Sequence, residues 1–322
     1  MNTKMDNYMN YYEELKQQLK WKVSDKRILM TISSIYVLHE KELRMNRFLD
    51  LAETIKRNAS LFSSMRSYAR FTTAAIFDVN FEEPDEKIQQ LFDLYDRFRE
   101  KKLSSGTYTY IAASILIINN TTNPEQKIER MKEIYDGMKK EHLFLTSSED
   151  YPLATLLALE ETPNIIQHIE GFYEDLSKSG FRKGNDLQFL SHILALGKDV
   201  SKNILISRAQ YVMDSFNHAG IKPKTSYYPV IGMLALLPQE EFDMQHIKAM
   251  YTFLNEQKDF KWQKDMNVMM ATSFFVHDKL DHKGLAETSL STILEAILQA
   301  QQAVMIATIA ASTAASNNNS GS

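Results

Sequence analysis

The sequence predicts an all-α protein, an α-solenoid in the form of a right-handed superhelix. It would contain about five helical hairpins of about 40 residues each, preceded by an N-terminal helical cap. Two observations carry this prediction: a tyrosine recurs at nearly constant spacing, and an apolar helix follows each occurrence. In addition, the 322 residues include only 10 glycines and 7 prolines, which argues against a turn-rich β-sandwich.

The first helix of each predicted hairpin is charged and carries the recurring tyrosine, at spacings of 40, 38, 38 and 40 residues. An apolar residue closes each of these helices eight to ten positions later. The tyrosines are Tyr95, Tyr135, Tyr173, Tyr211 and Tyr251, and the closing residues are Leu103, Leu143, Phe181, Ile221 and Phe260. Gly180 and Gly220 stand where a left-handed residue would end a helix.

The second helix of each hairpin is apolar nearly all round, as expected for a helix that packs on both sides. The tetrads LLAL (156–159), ILAL (193–196) and MLAL (233–236) mark three of these helices. The predicted apolar helices cover 71–77, 110–118, 151–159, 187–196, 227–237 and 266–275. A single hairpin cannot bury both of its faces, so stacking should build a continuous core.

The pattern divides the chain into three parts. Residues 1–70 form the net-basic cap, with helices predicted at 4–22, 25–43 and 44–58, and residues 71–283 hold the hairpins. Residues 284–322 read as an Ala/Gln-rich helix to about residue 312 and a disordered tail. Gln299, Gln301 and Gln302 make this helix too polar for a membrane span, although it could mediate self-association.

The net charge and the composition of the chain argue against several classes of function. The net charge is −4, so generic nucleic-acid binding is disfavoured, although residues 1–70 hold 13 Lys/Arg against 8 Asp/Glu. The absence of cysteine excludes thiol nucleophiles, thiolate zinc sites and disulfides. The polar N-terminus does not resemble a secretory signal, so we expect a cytoplasmic protein. Phosphate-binding and dinucleotide-binding glycine motifs are absent, and no cofactor is expected.

Polar residues cluster in the linkers between hairpins. Asp150, Asp186 and Asp265 each begin an apolar helix, where an acid caps the helix or favours its dipole. Alternatively, equivalent positions of successive hairpins form one polar ridge that binds a peptide, a phosphate or a metal ion. The ridge residues are His142, Asp150, Arg182, Lys183, Asn185, Asp186, Gln188, His192, Lys264, Asp265 and Asn267.

Two smaller groups of polar residues are interpreted separately. Asn185, Gln188 and His192 share one face of an apolar helix, which implies either an internal hydrogen-bond network or a groove-lining stripe. His277, Asp278, Asp281 and His282 are weak candidates for a metal site, and a solvated loop between helices is the simpler interpretation.

Long stretches of the chain resemble a family of uncharacterised proteins from bacilli and related Gram-positive bacteria, domain-of-unknown-function family 4003. The segments that carry the resemblance are 65–79, 139–159, 180–196, 227–237, 260–271 and 297–312. The resemblance implies that the C-terminal Gln/Ala-rich segment is native, and it implies no activity, ligand or catalytic residue. Residues 211–234 are more loosely similar to pentatricopeptide hairpins, a likeness that shared hairpin packing explains.

Three hypotheses for the function follow. The first is a non-catalytic module that binds a protein or peptide through the ridge around Asp150, Lys183, Asn185, Asp186 and Lys264. The second is a metal-dependent or phosphate-acting enzyme that uses His142, Asp150, Asp186 and His192. The third is an RNA-binding helical repeat.

Overall fold

The structure, a computed structural model, describes residues 2–160 and 162–280, together with residues 293, 294, 297, 298 and 301. These residues form fourteen α-helices and four short 3-10 helices, and they contain no β-strand. The prediction of an all-α protein is therefore confirmed.

The chain divides into two compact units. Unit 1 comprises Met1–Glu129 with Ala300–Ser322, and unit 2 comprises Arg130–Gln299. The helices before the division are α1 (Asn2–Leu19), α2 (Lys26–Leu38), α3 (Met45–Asn58), α4 (Ala69–Asn80), α5 (Asp85–Glu100) and α6 (Thr107–Ile118). Helix α7 (Pro124–Glu141) crosses the division. The helices after it are α8 (Tyr151–Leu159), α9 (Ile165–Lys178), α10 (Asn185–Ala195), α11 (Lys202–His218), α12 (Tyr228–Leu236), α13 (Met244–Glu256) and α14 (Lys264–Leu280).

In unit 1, helices that follow each other in the chain pack as pairs: α1 with α2, α3 with α4, and α5 with α6. Helix α2 also packs on α4, and α3 on α5. Nearly every residue of α2 and α4 is buried, whereas α3 and α5 bury one stripe each. The apolar and the amphipathic helices thus form separate rows, as their sequence patterns require.

Unit 2 repeats this arrangement. Helices α9, α11 and α13 pack on α10, α12 and α14, and the apolar helices α8, α10, α12 and α14 contact one another in sequence. Gly232 allows α12 to approach α10 closely, because a Cβ atom there would lie 2.9 Å from Ile193 Cγ2. About one turn further along both segments, a Cβ on Gly197 would lie 2.7 Å from Leu236 Cδ2. These two contacts show that α10 and α12 run parallel.

Several helix ends follow the predicted pattern. Gly180 and Gly220 adopt left-handed backbone angles, with φ of 93° and 79°. The following residues, Phe181 and Ile221, donate backbone N–H bonds of 3.2 and 2.9 Å to carbonyls five residues earlier and bury their side chains. Leu103 and Phe260, which follow the ends of α5 and α13, are also buried. Leu143 follows the end of α7 in the same way, but its side chain is exposed.

Most of the predicted C-terminal helix and tail lies outside the described residues. Ile293, Leu294, Ile297 and Leu298, which are described, are helical and buried. No helix among the described residues is long and apolar enough to cross a membrane.

Candidate functional site

The beginnings of the apolar helices of unit 2 lie along one edge, because the loops before them are hydrogen-bonded to their neighbours. Gln188 Nε2 donates to Thr146 Oγ1 (3.1 Å), and the Arg182 N–H donates to the Tyr228 hydroxyl (2.8 Å). Lys224 Nζ donates to Asp265 Oδ1 at 2.7 Å. We call residues 142–150, 179–186, 219–227 and 257–265 the loop edge.

Four of the predicted ridge residues are exposed on the loop edge: Arg182, Lys183, Asn185 and Lys264. Asp186 is half-buried in the first turn of α10. Lys222, Lys224 and Lys261 are also exposed there and were not among the predicted residues. The accessible part of the predicted ridge is therefore mainly cationic.

Three apolar side chains, Leu143, Phe144 and Trp262, are exposed on the same edge. Lys261 Nζ lies 5.4 Å from the centroid of the Trp262 ring, within the range of a cation–π contact. Sequence reasoning missed these side chains as functional candidates. Their signal is present in the sequence as large apolar residues inside the otherwise polar linkers HLFLTSSED and FKWQKD.

Asp150 is buried and acts as a cap. Its Oδ2 atom accepts the backbone N–H of Ser147 at 2.8 Å, and the Ser147 hydroxyl accepts the N–H of Glu149 at 3.2 Å. This reciprocal arrangement begins the 3-10 turn that leads into α8. Burial raises the pKa of Asp150 to about 7. The capping interpretation of Asp150 fits this geometry, and its carboxylate is not part of the accessible surface.

Asp265 and Asn267 hold the last loop in place. Asp265 accepts hydrogen bonds from Lys224 and from the Tyr227 hydroxyl (2.7 Å), which outweigh burial and lower its pKa. The buried Asn267 amide donates to the Phe260 carbonyl at 2.9 Å and to Asn255 at 3.0 Å. Asn267 therefore cannot contact a partner at the surface.

Two residues of the loop edge, His142 and Thr146, form an interior polar cluster with Glu170, Gln188 and His192. His142 Nε2 is 2.9 Å from Glu170 Oε2. The His142 ring centroid is 4.5 Å from that of Tyr173. Burial raises the pKa of Glu170. The pairing of His142 with Glu170 joins the end of α7 to α9.

Gln188 and His192 are buried as neighbours on one face of α10. The Gln188 amide nitrogen donates to Thr146, but its amide oxygen and both ring nitrogens of His192 have no hydrogen-bond partner among the described residues. Burial, together with a smaller effect of the charge of nearby His142, lowers the pKa of His192 to about 3. His192 is therefore a neutral side chain in the interior. Asn185, the third residue of the predicted stripe, is exposed at the beginning of the helix.

The weak metal candidates do not form a site among the described residues. His277 and Asp278 lie in the last turn of α14 rather than on a loop, while Asp281 and His282 lie outside the described residues. In the part of the chain that the structure describes, no three His, Asp or Glu side chains come together to hold a metal ion.

The fold and the loop edge define an all-helical protein of paired helices whose accessible candidate residues are basic and apolar. Comparison with models of protein families shows to which family this chain belongs. The model of a family described as "Protein of unknown function (DUF4003)" matches residues 11–303, and the chain belongs to this family. It is similar to the "Uncharacterized protein YeaA" of Bacillus subtilis (strain 168), with 37% identity over 325 residues that cover 100% of this chain and 98% of the relative. The comparison with solved structures returned no significant match.

Proposed function

We propose that this protein is a non-catalytic cytoplasmic module, built as an α-solenoid, that binds a protein or peptide partner at the loop edge of unit 2. The observation that carries the proposal is the accessible set on that edge: Arg182, Lys183 and Lys264 beside exposed apolar side chains. Stacked hairpins commonly build such extended binding surfaces. The contiguous row of α8, α10, α12 and α14 in unit 2 supports the solenoid.

The chemistry of the edge indicates what kind of partner would fit. Lys224 is committed to Asp265, whereas Lys183 and Lys264 are exposed and suited to acidic side chains of a partner. Phe144 and Trp262 are large anchors of the type that dominates binding energy when a partner covers them. The favoured partner is therefore a segment that combines acidic residues with an apolar side chain.

A random-peptide display selection against the full chain tests this proposal. We expect the enriched peptides to be acidic with at least one apolar residue. The double charge reversal K183E/K264E should weaken their binding at least about tenfold, equivalent to about 1.4 kcal/mol. Because both side chains are exposed, the variant should unfold at the same urea concentration as the wild type.

The variant K248E, which reverses one charge where K183E/K264E reverses two, is the control. Lys248 is exposed on α13, outside the loop edge, so its reversal should leave peptide binding unchanged. Equal losses in K248E and K183E/K264E would reveal a general charge effect and would contradict the proposed site. A selection that enriches no acidic peptides would contradict the proposed partner class.

A second candidate function, a metal-dependent or phosphate-acting enzyme, rests on the polar atoms of the interior polar cluster, which form no three-ligand metal site among the described residues. The His142–Glu170 pair resembles an oriented base, and His192 and Gln188 present unpartnered polar atoms close to it. This candidate predicts phosphoester hydrolysis that H142Q abolishes, with a divalent ion retained on purification or required in the assay. Protein that hydrolyses no phosphoester substrate, with or without added divalent ions, would eliminate it.

A further inference from the structure

Unit 1 also carries loops with exposed apolar side chains, and two of these loops lie at the same end of the unit. The carboxyl ends of α2 and α4 lie together, because the Tyr36 hydroxyl donates to Asp78 Oδ2 at 2.7 Å and Lys41 pairs with Glu82 at 3.1 Å. The two packed helices therefore run parallel, with their beginnings together about 20 Å away at 1.5 Å per residue. The α1–α2 and α3–α4 loops both lie at that second end.

The α3–α4 loop holds Leu61 and Phe62 away from the core by a set of hydrogen bonds. Arg66 Nε donates to the Ala59 and Ser60 carbonyls at 3.2 and 3.1 Å. The Ser63 hydroxyl lies 3.0 Å from the Tyr110 hydroxyl at the beginning of α6. Between these fixed points Leu61 is 76% exposed and Phe62 is fully exposed. The loop is thus ordered by its own polar groups while both apolar side chains face solvent.

The α1–α2 loop presents Trp21 in a similar way. Lys22 and Val23 both donate their N–H groups to the Leu19 carbonyl at 2.8 Å, which closes a tight turn around Trp21. Leu19 and Val23 are buried on either side of the turn, and Trp21 is 90% exposed. Lys20 Nζ lies 5.5 Å from the Trp21 ring centroid.

Positive charge surrounds these apolar side chains. Residues 20–27 and 56–70, which we call the unit 1 loop pair, contain eight lysines and arginines and a single acidic residue, Asp25. Asp25 is already bonded to Arg27 at 2.5 Å. Lys20, Lys22, Arg57 and Arg66 are exposed, in a chain whose net charge is −4. The loop pair is therefore a local cationic surface on an acidic protein.

We infer that the unit 1 loop pair is a docking surface for a lipid bilayer that contains anionic headgroups. Isolated apolar side chains that project from ordered turns can enter the acyl boundary of a bilayer, and tryptophan favours the headgroup level. Exposed lysines and arginines near such a surface each add about fivefold to binding of anionic lipid. Leu61 offers no π-face on which a nucleic-acid base could stack, so the bilayer fits better than RNA. This surface shares no residue with the loop edge, and the inference does not rest on the proposed function.

Tryptophan fluorescence of the full chain tests the assignment, because the sequence contains only two tryptophans. In W262F, Trp21 is the sole reporter, and in W21F it is Trp262. With phosphatidylcholine vesicles that contain phosphatidylglycerol, we expect the W262F emission to shift to the blue and to become protected from acrylamide. Pure phosphatidylcholine vesicles should cause little change. The matched protein W21F should show no shift.

Vesicle co-sedimentation then tests the two contributions separately. K20Q/K22Q should lower the partition constant about 25-fold, and L61S/F62S at least about tenfold. The control K87Q/K127Q removes two lysines elsewhere in unit 1 and should change partitioning less than about twofold.

Three results with vesicles would overturn the inference: unchanged W262F emission on anionic vesicles, an equal shift in W21F, or a loss in K87Q/K127Q equal to that in K20Q/K22Q. Tighter binding of the wild type to single-stranded RNA than to anionic vesicles would also overturn it, by replacing the bilayer with nucleic acid.

Discussion

Lys183 and Gln188 stand five residues apart at the beginning of α10, yet they occupy opposite environments. Lys183 is exposed on the loop edge, whereas Gln188 is 1% exposed and bonded to Thr146 of the preceding loop. The same contrast separates Lys264, which is exposed, from Asn267, which is buried. At the beginning of α10 and of α14, the polar residue before or in the first turn faces solvent, whereas the polar residue about one turn later is buried.

This difference follows from the packing of the apolar helices. Each of α10, α12 and α14 has a neighbour of the same row, so a side chain one turn into the helix meets protein on almost every side. Side chains in the loops and in the first helical residues are less enclosed, and several of them are exposed to solvent. The distance of a polar residue from the start of such a helix therefore decides whether its side chain is accessible to solvent or enclosed in the interior.

The largest expected effect is on the free energy of unfolding. It should distinguish Leu190, in the core of α10, from Lys183, which lies on the loop edge just before that helix. Leu190 is fully buried against the position of Gly232, where a Cβ atom would lie 3.0 Å from Leu190 Cδ1. Leu190→Ala should lower the free energy of unfolding by about 2–5 kcal/mol, because it removes buried contacts and leaves a cavity. Lys183→Ala should change it by less than about 0.5 kcal/mol. Urea unfolding followed by circular dichroism measures both, and similar shifts in the two variants would contradict the contrast.

The next effect concerns the pH dependence of stability. Burial lowers the pKa of His192 from 6.5 to about 3, so the unfolded chain binds its proton more readily than the native chain. The contribution of neutral His192 to the free energy of unfolding is fully present above pH 6.5, and it is lost as the pH falls toward 3. The slope approaches about 1.4 kcal/mol per pH unit. His192→Leu should remove this slope in urea unfolding measured across that range.

Asp150 provides the opposite control for that measurement. Its pKa is raised from 3.8 to about 7 by burial, so the native chain holds the proton more tightly. Its contribution to stability is fully present below pH 3.8 and is lost as the pH rises through about 7. Asp150→Asn keeps an acceptor for the Ser147 N–H and removes the titration. Changes of the same sign in H192L and D150N would show that burial does not set these two pKa values.

The sequence predicted the helices well because their signals are local. The predicted helix 151–159 coincides with α8, and the predicted 187–196 differs from α10 by one or two residues at either end. The division between the units was not predicted, because it falls within α7, whose charged helical pattern continues without a break. The predicted boundaries at residues 70 and 283 remain predictions.

The candidate site was less predictable because its pairings are distant in the chain. Asp150, Asp186 and Asp265 look equivalent in the repeat, yet Asp150 caps its own turn and Asp265 binds Lys224, 41 residues away. The His142–Glu170 pair spans 28 residues. Helix periodicity says which residues share a face of one helix, but not which neighbour faces them. The exposure of Leu143 likewise depends on tertiary packing, which outweighed its place in the repeat.

The smallest expected effect tests whether one of these distant pairings stabilises the loop edge. Lys224 and Asp265 are both about half-exposed, with Lys224 Nζ 2.7 Å from Asp265 Oδ1. A double-mutant cycle of K224Q and D265N should give a coupling of about 0.2–1 kcal/mol, because water screens an exposed ion pair. D265N alone should cost more than K224Q alone, since Asp265 also accepts the Tyr227 hydroxyl. If K224Q costs more than D265N, then Lys224 contributes through contacts other than this ion pair. If the coupling is zero, the hydrogen bond of Arg182 to Tyr228 and the packing of the apolar helices are what hold the loops of the edge together.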